Sequence, residues 1–222
     1  MTTEYRYLTT SLIGFIQQLT CCYIRHGYWF YVTGWIPLHK DPLAVDEKLL
    51  TKYGIARSRS SRARRKQAGS ANVHYLRHER TFILLATHGR HDFFDQEPDV
   101  RDIRRQPFRY AGYSISYKQG RYLRKASSTT RPVVDNKFHV RVRIGRDRHT
   151  DLKALFLELA TRRTPDQLAA MLYNLPFEPY APVRQQLLNL LRLINKKRKA
   201  AGLATLPPKC LRYRRRIVKP FA

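Results

Sequence analysis

Histidines and carboxylates cluster in residues 88–102, the stretch of the chain whose side chains best suit metal chemistry. Two histidines and five of the sixteen acidic residues occur there: His88, His91, Asp92, Asp95, Glu97, Asp99 and Asp102. The stretch follows an apolar run, and a loop after a buried strand is a common position for a reactive site. Imidazole and carboxylate groups bind divalent metals, and a bound metal would activate water for phosphodiester cleavage. One hypothesis is therefore a metal-dependent nuclease with His88, His91, Asp92 and Asp95 as its catalytic residues.

The same stretch also fits a polar loop whose acidic residues pair with neighbouring arginines. Arg90, Arg101, Arg104 and Arg105 lie beside these acids, and the spacing of the histidines matches no established metal-binding motif. The chain lacks GxxxxGK[ST], GxSxG and HExxH motifs, so nucleotide hydrolysis and serine hydrolysis have no support. We therefore favour the polar loop, predict neither a metal nor a cofactor, and expect a binding protein before an enzyme.

Positive charge is the dominant property of the sequence. Lysine and arginine contribute 43 residues against 16 aspartates and glutamates, which gives a formal net charge of +27. A folded domain with this surplus repels itself, and contact with phosphates relieves the repulsion and releases counterions. Anionic membrane surfaces and acidic proteins also attract cations, but the size of the surplus favours nucleic acid as the partner.

The cations fall in several separate segments that are almost free of acidic residues. No acid occurs between Glu47 and Glu79, between Asp102 and Asp135, or after Glu178. These segments supply the predicted nucleic-acid-binding residues Arg57, Arg59, Arg62, Arg64, Arg65, Lys66, Lys118, Arg121, Arg124, Lys125, His139, Arg141, Arg143, Lys196, Lys197, Lys199, Arg212, Arg214, Arg215 and Arg216. Their dispersion favours recognition of shape and backbone over the reading of base edges, and interleaved tyrosines suit base stacking. RNA or another single-stranded nucleic acid, held in a ribonucleoprotein-like assembly, is therefore predicted before duplex DNA.

The segment Phe138–Ile144 shows the clearest local pattern. Four apolar residues alternate with three basic ones, as expected for a strand with one buried face. We expect Phe138, Val140, Val142 and Ile144 to face the core, and His139, Arg141 and Arg143 to face outward. The outward residues would stand roughly 7 Å apart, a spacing comparable to that of phosphates along a single strand.

The spacing of apolar residues predicts an α+β fold, with a small mixed or antiparallel sheet, packed helices and a helical, basic C-terminal region. Helices are predicted at about residues 8–25, 44–53, 152–159, 165–175 and 183–201, and strands at 28–36, 81–87, 109–118 and 138–144. Thr164 begins a capping box with proline at the first helical position. The segment 57–69 lacks apolar periodicity and is predicted to be a flexible basic loop. The predicted organisation is a mixed α/β domain at 1–145, a three-helix region at 146–202 and a basic tail at 203–222, which lacks periodic apolar residues to pack.

Two further features limit the hypotheses about partners. The last two predicted helices are joined by the seven residues 176–182, longer than the usual three or four of a helix-turn-helix, so duplex reading by that motif is disfavoured. Aromatic residues of Tyr28–Trp35 suggest a third hypothesis, an architectural protein that bridges nucleic acid and a protein partner.

The cysteines and the first apolar stretch indicate an intracellular protein. Cys21, Cys22 and Cys210 are odd in number and form no CxxC pair, so a reducing compartment is favoured and neither a disulfide framework nor a zinc ribbon is predicted. Polar residues interrupt the apolar stretch Ser11–Ile36, so we expect neither a signal peptide nor a membrane span. The predicted location is cytoplasmic or nucleoid-associated, without secretion.

Overall fold

The structure, a computed structural model, describes residues 5–120, 122–124 and 133–221, and for 122–124 and 133–135 it describes only the course of the backbone. The fold is α+β, as predicted. The strands are β1 Leu8–Thr9, β2 Phe30–Trp35, β3 Val73–His78, β4 Thr81–Ala86, β5 Arg101–Asp102, β6 Phe108–Tyr110, β7 Tyr113–Gln119, β8 Tyr122–Arg124, β9 Val133–Asp135 and β10 Phe138–Ile144. The α-helices are α1 Leu12–Gln18, α2 Pro42–Lys52, α3 Arg59–Gln67, α4 Phe93–Gln96, α5 Arg146–Leu159, α6 Pro165–Tyr173 and α7 Ala181–Ala200.

The chain divides into two compact units. The first comprises residues 1–107, 116–140 and 218–222, and the second comprises residues 108–115 and 141–217. The predicted boundaries after residues 145 and 202 differ from this division. The physical reason is that sheet pairing joins strands distant in sequence, such as β7 and β10, whereas the boundaries were drawn where the local periodicity changes.

A five-stranded sheet, in the order β1-β3-β4-β2-β5, is the centre of the first unit. Its first two strands are parallel and its other pairs are antiparallel. Residues of α1 and the π-helical turn that continues it to Tyr23 pack on one face of the sheet, where Tyr23 stacks on the buried His74 with 4.5 Å between ring centroids. On the opposite face, Tyr53 after α2 and Phe93 of α4 join a cluster of buried strand residues.

A buried ion pair fastens α2 to the sheet. Asp46, which is 0% exposed, accepts hydrogen bonds from the Arg77 guanidinium at 2.7–3.0 Å and another from the Tyr75 hydroxyl. The pairing satisfies both buried charges, which would otherwise be very costly in the interior. No local sequence pattern indicates it, because its members are 31 residues apart.

The second unit combines β6, the first residues of β7 and the end of β10 with the helices α5, α6 and α7. These three strands form an antiparallel sheet in the order β10-β7-β6. The prediction of one strand at 109–118 is wrong, because the chain turns at Ala111 and Gly112. Both residues have positive φ, 46° and 79°, as a type I′ hairpin turn requires. The pattern of apolar residues alternated across the turn and concealed it. The predicted capping box before α6 is confirmed, with reciprocal hydrogen bonds between Thr164 and Gln167.

The segment predicted as a flexible basic loop forms the helix α3, so that prediction is wrong. Ser58 caps the helix by accepting a hydrogen bond from the Ser61 backbone, and the Asn72 amide donates to the Arg62 carbonyl at 2.9 Å. Arginine, lysine, alanine and glutamine are strong helix formers, and no residue of α3 is buried. The helix therefore needs no apolar stripe, and the absence of periodicity did not indicate a loop.

The C-terminal segment is packed, in contrast to the predicted basic tail. Leu206, Cys210 and Leu211 are buried, and the 3-10 turn Pro208–Cys210 lies between them. The apolar residues of an irregular segment have no period, so their burial could not be predicted from spacing. None of the described helices combines the length and apolar character that a membrane span requires.

Candidate nucleic-acid interface

The predicted basic residues of segment 57–66 are brought together by α3. Arg59, Arg64 and Lys66 are exposed. Arg62 and Arg65 are half-buried on the side of the helix that contacts residues 71 and 72, just before β3. None of the six cations in this segment forms an ion pair with a described carboxylate. The helix therefore presents a strongly positive surface that the described part of the chain does not neutralise.

A cleft of about 420 Å³ opens beside α3, between the end of α2 and the segment that follows β4. Four cations line it, Lys52, Arg57, Arg65 and Arg90, and Asp92 is the single carboxylate among the described lining residues. Because these cations come from three separate parts of the sequence, 52–57, 65 and 90, the cleft exists only in the folded chain.

Backbone contacts between residues 69–71 and 89–90 give the cleft its shape. A Cβ atom on Gly89 would lie 2.6 Å from the Ala71 nitrogen, so glycine is needed for this close approach. The Arg90 nitrogen donates to the Gly69 carbonyl, and the Ala71 nitrogen donates to the Arg90 carbonyl, each at 3.0 Å. These bonds fix the backbone of Arg90 beside the end of α3, which carries Arg65.

Three residues that line the cleft are bound to residues outside its lining. Lys52 pairs with Glu97 at 3.4 Å, and the Tyr53 hydroxyl donates to the same carboxylate. The His91 Nδ1 accepts a hydrogen bond from the Phe93 nitrogen at 3.0 Å. Burial, together with the positive charge of Arg65, lowers the pKa of His91, so its ring is neutral near pH 7. Arg57, Arg65 and Arg90 therefore remain as the cations of the cleft without a described carboxylate partner.

A row of aromatic rings forms a second feature of the first unit. The Arg104 guanidinium lies over the Trp29 ring at 4.5 Å, and Trp29 stacks on Tyr117 with centroids 5.6 Å apart and planes at 22°. Tyr117 in turn contacts Phe138, with 5.5 Å between centroids. Phe138 at the outer end is 48% exposed, although its place in the strand pattern predicted a core position. That prediction is wrong because the apolar alternation extends to the first residue of β10, whereas burial is complete only at Val142 and Ile144.

The rest of the strand Phe138–Ile144 follows the predicted alternation more closely. Its bounds agree with the prediction, and Val142 and Ile144 are buried. Arg143 is exposed, whereas His139 and Arg141 are half-buried. The strand thus offers one fully exposed cation instead of three.

The C-terminal cations divide into two groups. Glu178, 3% exposed, accepts from Arg216 Nε at 2.9 Å and pairs with Arg212 at 3.5 Å, and Arg212 also donates to the Leu175 and Phe177 carbonyls. These two predicted binding residues therefore stabilise the second unit. The predicted binding residues that are exposed on α7 and after it are Lys196, Lys197, Lys199, Arg214, Arg215 and, despite its pairing with Glu178, Arg216.

Among the other predicted binding residues, Lys118 is half-buried on β7. Arg121 and Lys125 lie outside the described residues, and the side chain of Arg124 does too.

The acidic stretch 88–102 does not form the metal centre that the alternative nuclease hypothesis requires. No group of three or more histidines, cysteines or carboxylates that could hold a metal occurs among the described residues. His88 and Asp95 are exposed, and Asp99 and Asp102 pair with Arg101 and Arg104. A nuclease site would need converging carboxylates and a histidine, so the described geometry gives that hypothesis no support.

Several residues of these sites were missed in the sequence. Arg90 was read as a partner of the acidic stretch, yet it lines the cleft without an ion pair to a described carboxylate. Trp29 and Tyr117 are far apart in sequence, and only tertiary structure brings them into contact. A usable signal was Gly89 before Arg90, since a glycine after a buried strand often permits a close backbone approach.

Comparison with known proteins returned no match: no protein-family model, no curated protein and no solved structure matches this chain. A functional assignment therefore depends on the residues and geometry of the chain itself.

Proposed function

We propose that this protein binds single-stranded nucleic acid, RNA before duplex DNA, through backbone and stacking contacts in a ribonucleoprotein-like assembly. The observation that carries the proposal is the surface of α3 with Arg57, on which six cations have no ion pair to a described carboxylate. Phosphates would neutralise such a surface, and their binding is favourable because it releases the counterions that surround the nucleic acid.

The aromatic row supports a single-stranded partner. Trp29, Tyr117 and Phe138 form contiguous ring contacts that end at an exposed face. An unpaired base stacks on such a ring, whereas a base within a duplex already stacks on its neighbours.

The helices of the second unit support backbone recognition over duplex reading. A helix-turn-helix joins its two helices by three or four residues, whereas the seven residues 174–180 separate α6 from α7. In α7 the Arg198 guanidinium is buried and donates to the carbonyls of Ala160, Arg163 and Ala204. This arrangement makes α7 a structural element whose exposed lysines are available for phosphate contacts.

The proposal includes an intracellular location and further proteins in the same assembly. All three cysteines are free, as expected in a reducing compartment. Of the aromatic residues in Tyr28–Trp35, Trp35 is the strongly exposed one among those described, while Tyr28 and Tyr31 are buried. A protein contact by this segment would therefore centre on Trp35.

The test measures binding of a labelled single-stranded RNA by fluorescence anisotropy. An oligonucleotide of about 12 nucleotides falls within the site sizes of single-strand-binding folds. Affinity should fall steeply between about 50 and 200 mM salt, with a log–log slope near −0.7 per phosphate contacted. Arg59→Gln/Arg64→Gln should make that slope shallower, because two cations of α3 are lost.

The matched control is Arg101→Gln/Arg162→Gln, which removes the same charge from exposed arginines already paired with Asp99 and Glu158. The control should leave the salt slope nearly unchanged. Equal losses in the two double variants would mean that net charge alone drives binding. A salt-independent affinity in the parent would overturn the proposal.

Stacking has a separate test. Phe138→Leu keeps an apolar side chain but removes the ring, and it should weaken single-stranded binding, because stacking contributes about 1–3 kcal/mol per base. Phe138→Tyr keeps the ring and should bind like the parent. Equal affinities for all three proteins would remove Phe138 from the interface.

A further inference from the structure

The net charge of the cleft beside α3 follows from its lining residues. Lys52 is neutralised by Glu97, and His91 is neutral, so neither adds to the charge of the cleft. The three remaining arginines against Asp92 leave a formal surplus of two positive charges. A phosphodiester of a nucleic-acid backbone carries one negative charge, whereas a terminal phosphate monoester carries about 1.5 to 2 at pH 7. The cleft therefore matches a terminal phosphate better than an internal one.

The three arginines of the cleft have no ion pair to a described carboxylate, and other contacts hold the side chains of Arg57 and Arg65 and the backbone of Arg90. The Arg57 guanidinium lies against Gly54, where an added Cβ atom would be 2.7 Å from its Nη2. Arg65 Nη2 donates to the Ala71 carbonyl at 3.2 Å, and the Arg90 backbone is bound to Gly69. A guanidinium positioned by carbonyl and van der Waals contacts keeps N–H donors for an anion, and its planar fork fits phosphate oxygens in pairs.

The size of the cleft fits the same ligand. A volume of about 420 Å³ lies within the range of small-molecule sites, roughly 300–1,000 Å³. A polynucleotide backbone that crosses a convex helix surface needs no such concavity. A phosphate at the end of a strand, with its sugar, can enter a concave site because the chain continues on one side only.

We propose that Arg57, Arg65 and Arg90 form a binding site for a phosphate monoester, supplied by the phosphorylated end of a single-stranded nucleic acid. The inference that the phosphate belongs to the end of a strand rests on the proposed function, whereas the inference that the cleft binds a phosphate monoester rests on its geometry and charge. A free mononucleotide carries the same phosphate monoester, and the competition experiment below distinguishes it from a strand end.

The experiment compares three forms of one RNA oligonucleotide, with a 5′-phosphate, with a 3′-phosphate or with hydroxyls at both ends. Binding is measured by anisotropy with the full chain at moderate salt. One phosphorylated form should bind on the order of tenfold tighter than the hydroxyl form, the effect expected for about 1.4 kcal/mol. Arg65→Gln should abolish this preference. Arg64→Gln, an exposed neighbour on the same helix, should retain it while weakening all three forms equally.

Each outcome has one interpretation, with circular dichroism confirming that the variants are folded. Arg90→Gln provides a second variant, which should lose the preference as Arg65→Gln does. Equal binding of all three RNA forms by the parent would overturn the terminal-phosphate site while leaving the proposed function intact. Failure of every RNA form to bind would overturn the proposed function together with the strand-end source.

A mononucleotide competitor identifies the source of the phosphate. Uridine monophosphate should displace the phosphorylated RNA only at concentrations far above the affinity of the RNA, because it lacks the contacts of the strand. Displacement by uridine monophosphate at concentrations comparable to that affinity would overturn the strand-end source and assign the cleft to a free nucleotide.

Discussion

Replacement of Arg212 with glutamine should destabilise the second unit, although the residue belongs to a segment predicted to be a basic tail. Arg212 donates to the Leu175 and Phe177 carbonyls at 2.7 and 2.8 Å and pairs with the buried Glu178. Removing one partner of a buried ion pair costs about 3–5 kcal/mol. Since Arg216 would still pair with Glu178, we expect a somewhat smaller loss of unfolding free energy, about 2–4 kcal/mol. In a chain of this length that corresponds to a lowering of the melting temperature by roughly 5–15 °C.

Thermal unfolding followed by circular dichroism tests this expectation. Arg214→Gln is the matched control, because it removes the same charge two residues away from an exposed side chain and should change stability by less than about 0.5 kcal/mol. Below the melting temperature, Arg212→Gln should leave the salt dependence of RNA binding unchanged. Equal melting temperatures for Arg212→Gln and Arg214→Gln would refute the structural role of Arg212. A shallower salt slope for Arg212→Gln alone would instead support a contact between Arg212 and phosphate.

Three further predictions concern the cores of the two units. Burial, and to a lesser degree the charge of Arg62, lowers the pKa of His74 from 6.5 to about 3. Between these values the unfolded chain binds a proton that the folded chain excludes, so stability should fall by about 1.4 kcal/mol per unit as the pH drops below 6.5. His74→Phe should remove this contribution to the pH dependence of the unfolding free energy, which urea unfolding at two pH values below 6.5 would measure. Asp46→Ala should lower the unfolding free energy by about 3–5 kcal/mol, because it leaves Arg77 buried and unpaired. The double variant Asp46→Ala/Arg77→Met should recover part of this loss, which a double-mutant cycle would measure. Val142→Ala should lower the unfolding free energy by about 1–3 kcal/mol and leave the RNA affinity unchanged. Arg143→Gln should keep the stability of the parent and bind RNA more weakly. Thermal melts and binding isotherms on both variants test these expectations.

The sequence predicted the elements with strong local patterns and missed those that depend on tertiary contacts. The strand Phe138–Ile144 has the predicted bounds, and the capping box at Thr164 is formed as predicted. Both depend on residues within one element. The buried pairing of Asp46 with Arg77 and the stacking of Trp29 on Tyr117 join separate elements, and nothing in the neighbouring residues indicates either partner.

The helix α3 shows a different kind of failure. Apolar periodicity identifies helices that bury one face, but α3 buries none of its residues. Its formation depends on the Ser58 cap and on residues with high helix propensity, signals that remain when periodicity is absent. The same basic composition that indicated nucleic-acid binding was therefore mistaken for flexibility, and the candidate binding residues were identified while their conformation was not.

The net charge of +27 overstates the cations available to a nucleic acid. Arg198 and Arg212 donate to backbone carbonyls, and Arg77 forms an ion pair with the buried Asp46. In these positions the guanidinium stabilises the fold by donating to carbonyl or carboxylate oxygens. Arg57 and Arg65 are also held by neighbouring atoms, but those contacts leave donors directed at a cleft with one described carboxylate. The distinction between a structural and a binding arginine is thus the number of N–H donors that remain after folding, a quantity that depends on tertiary structure and not on composition.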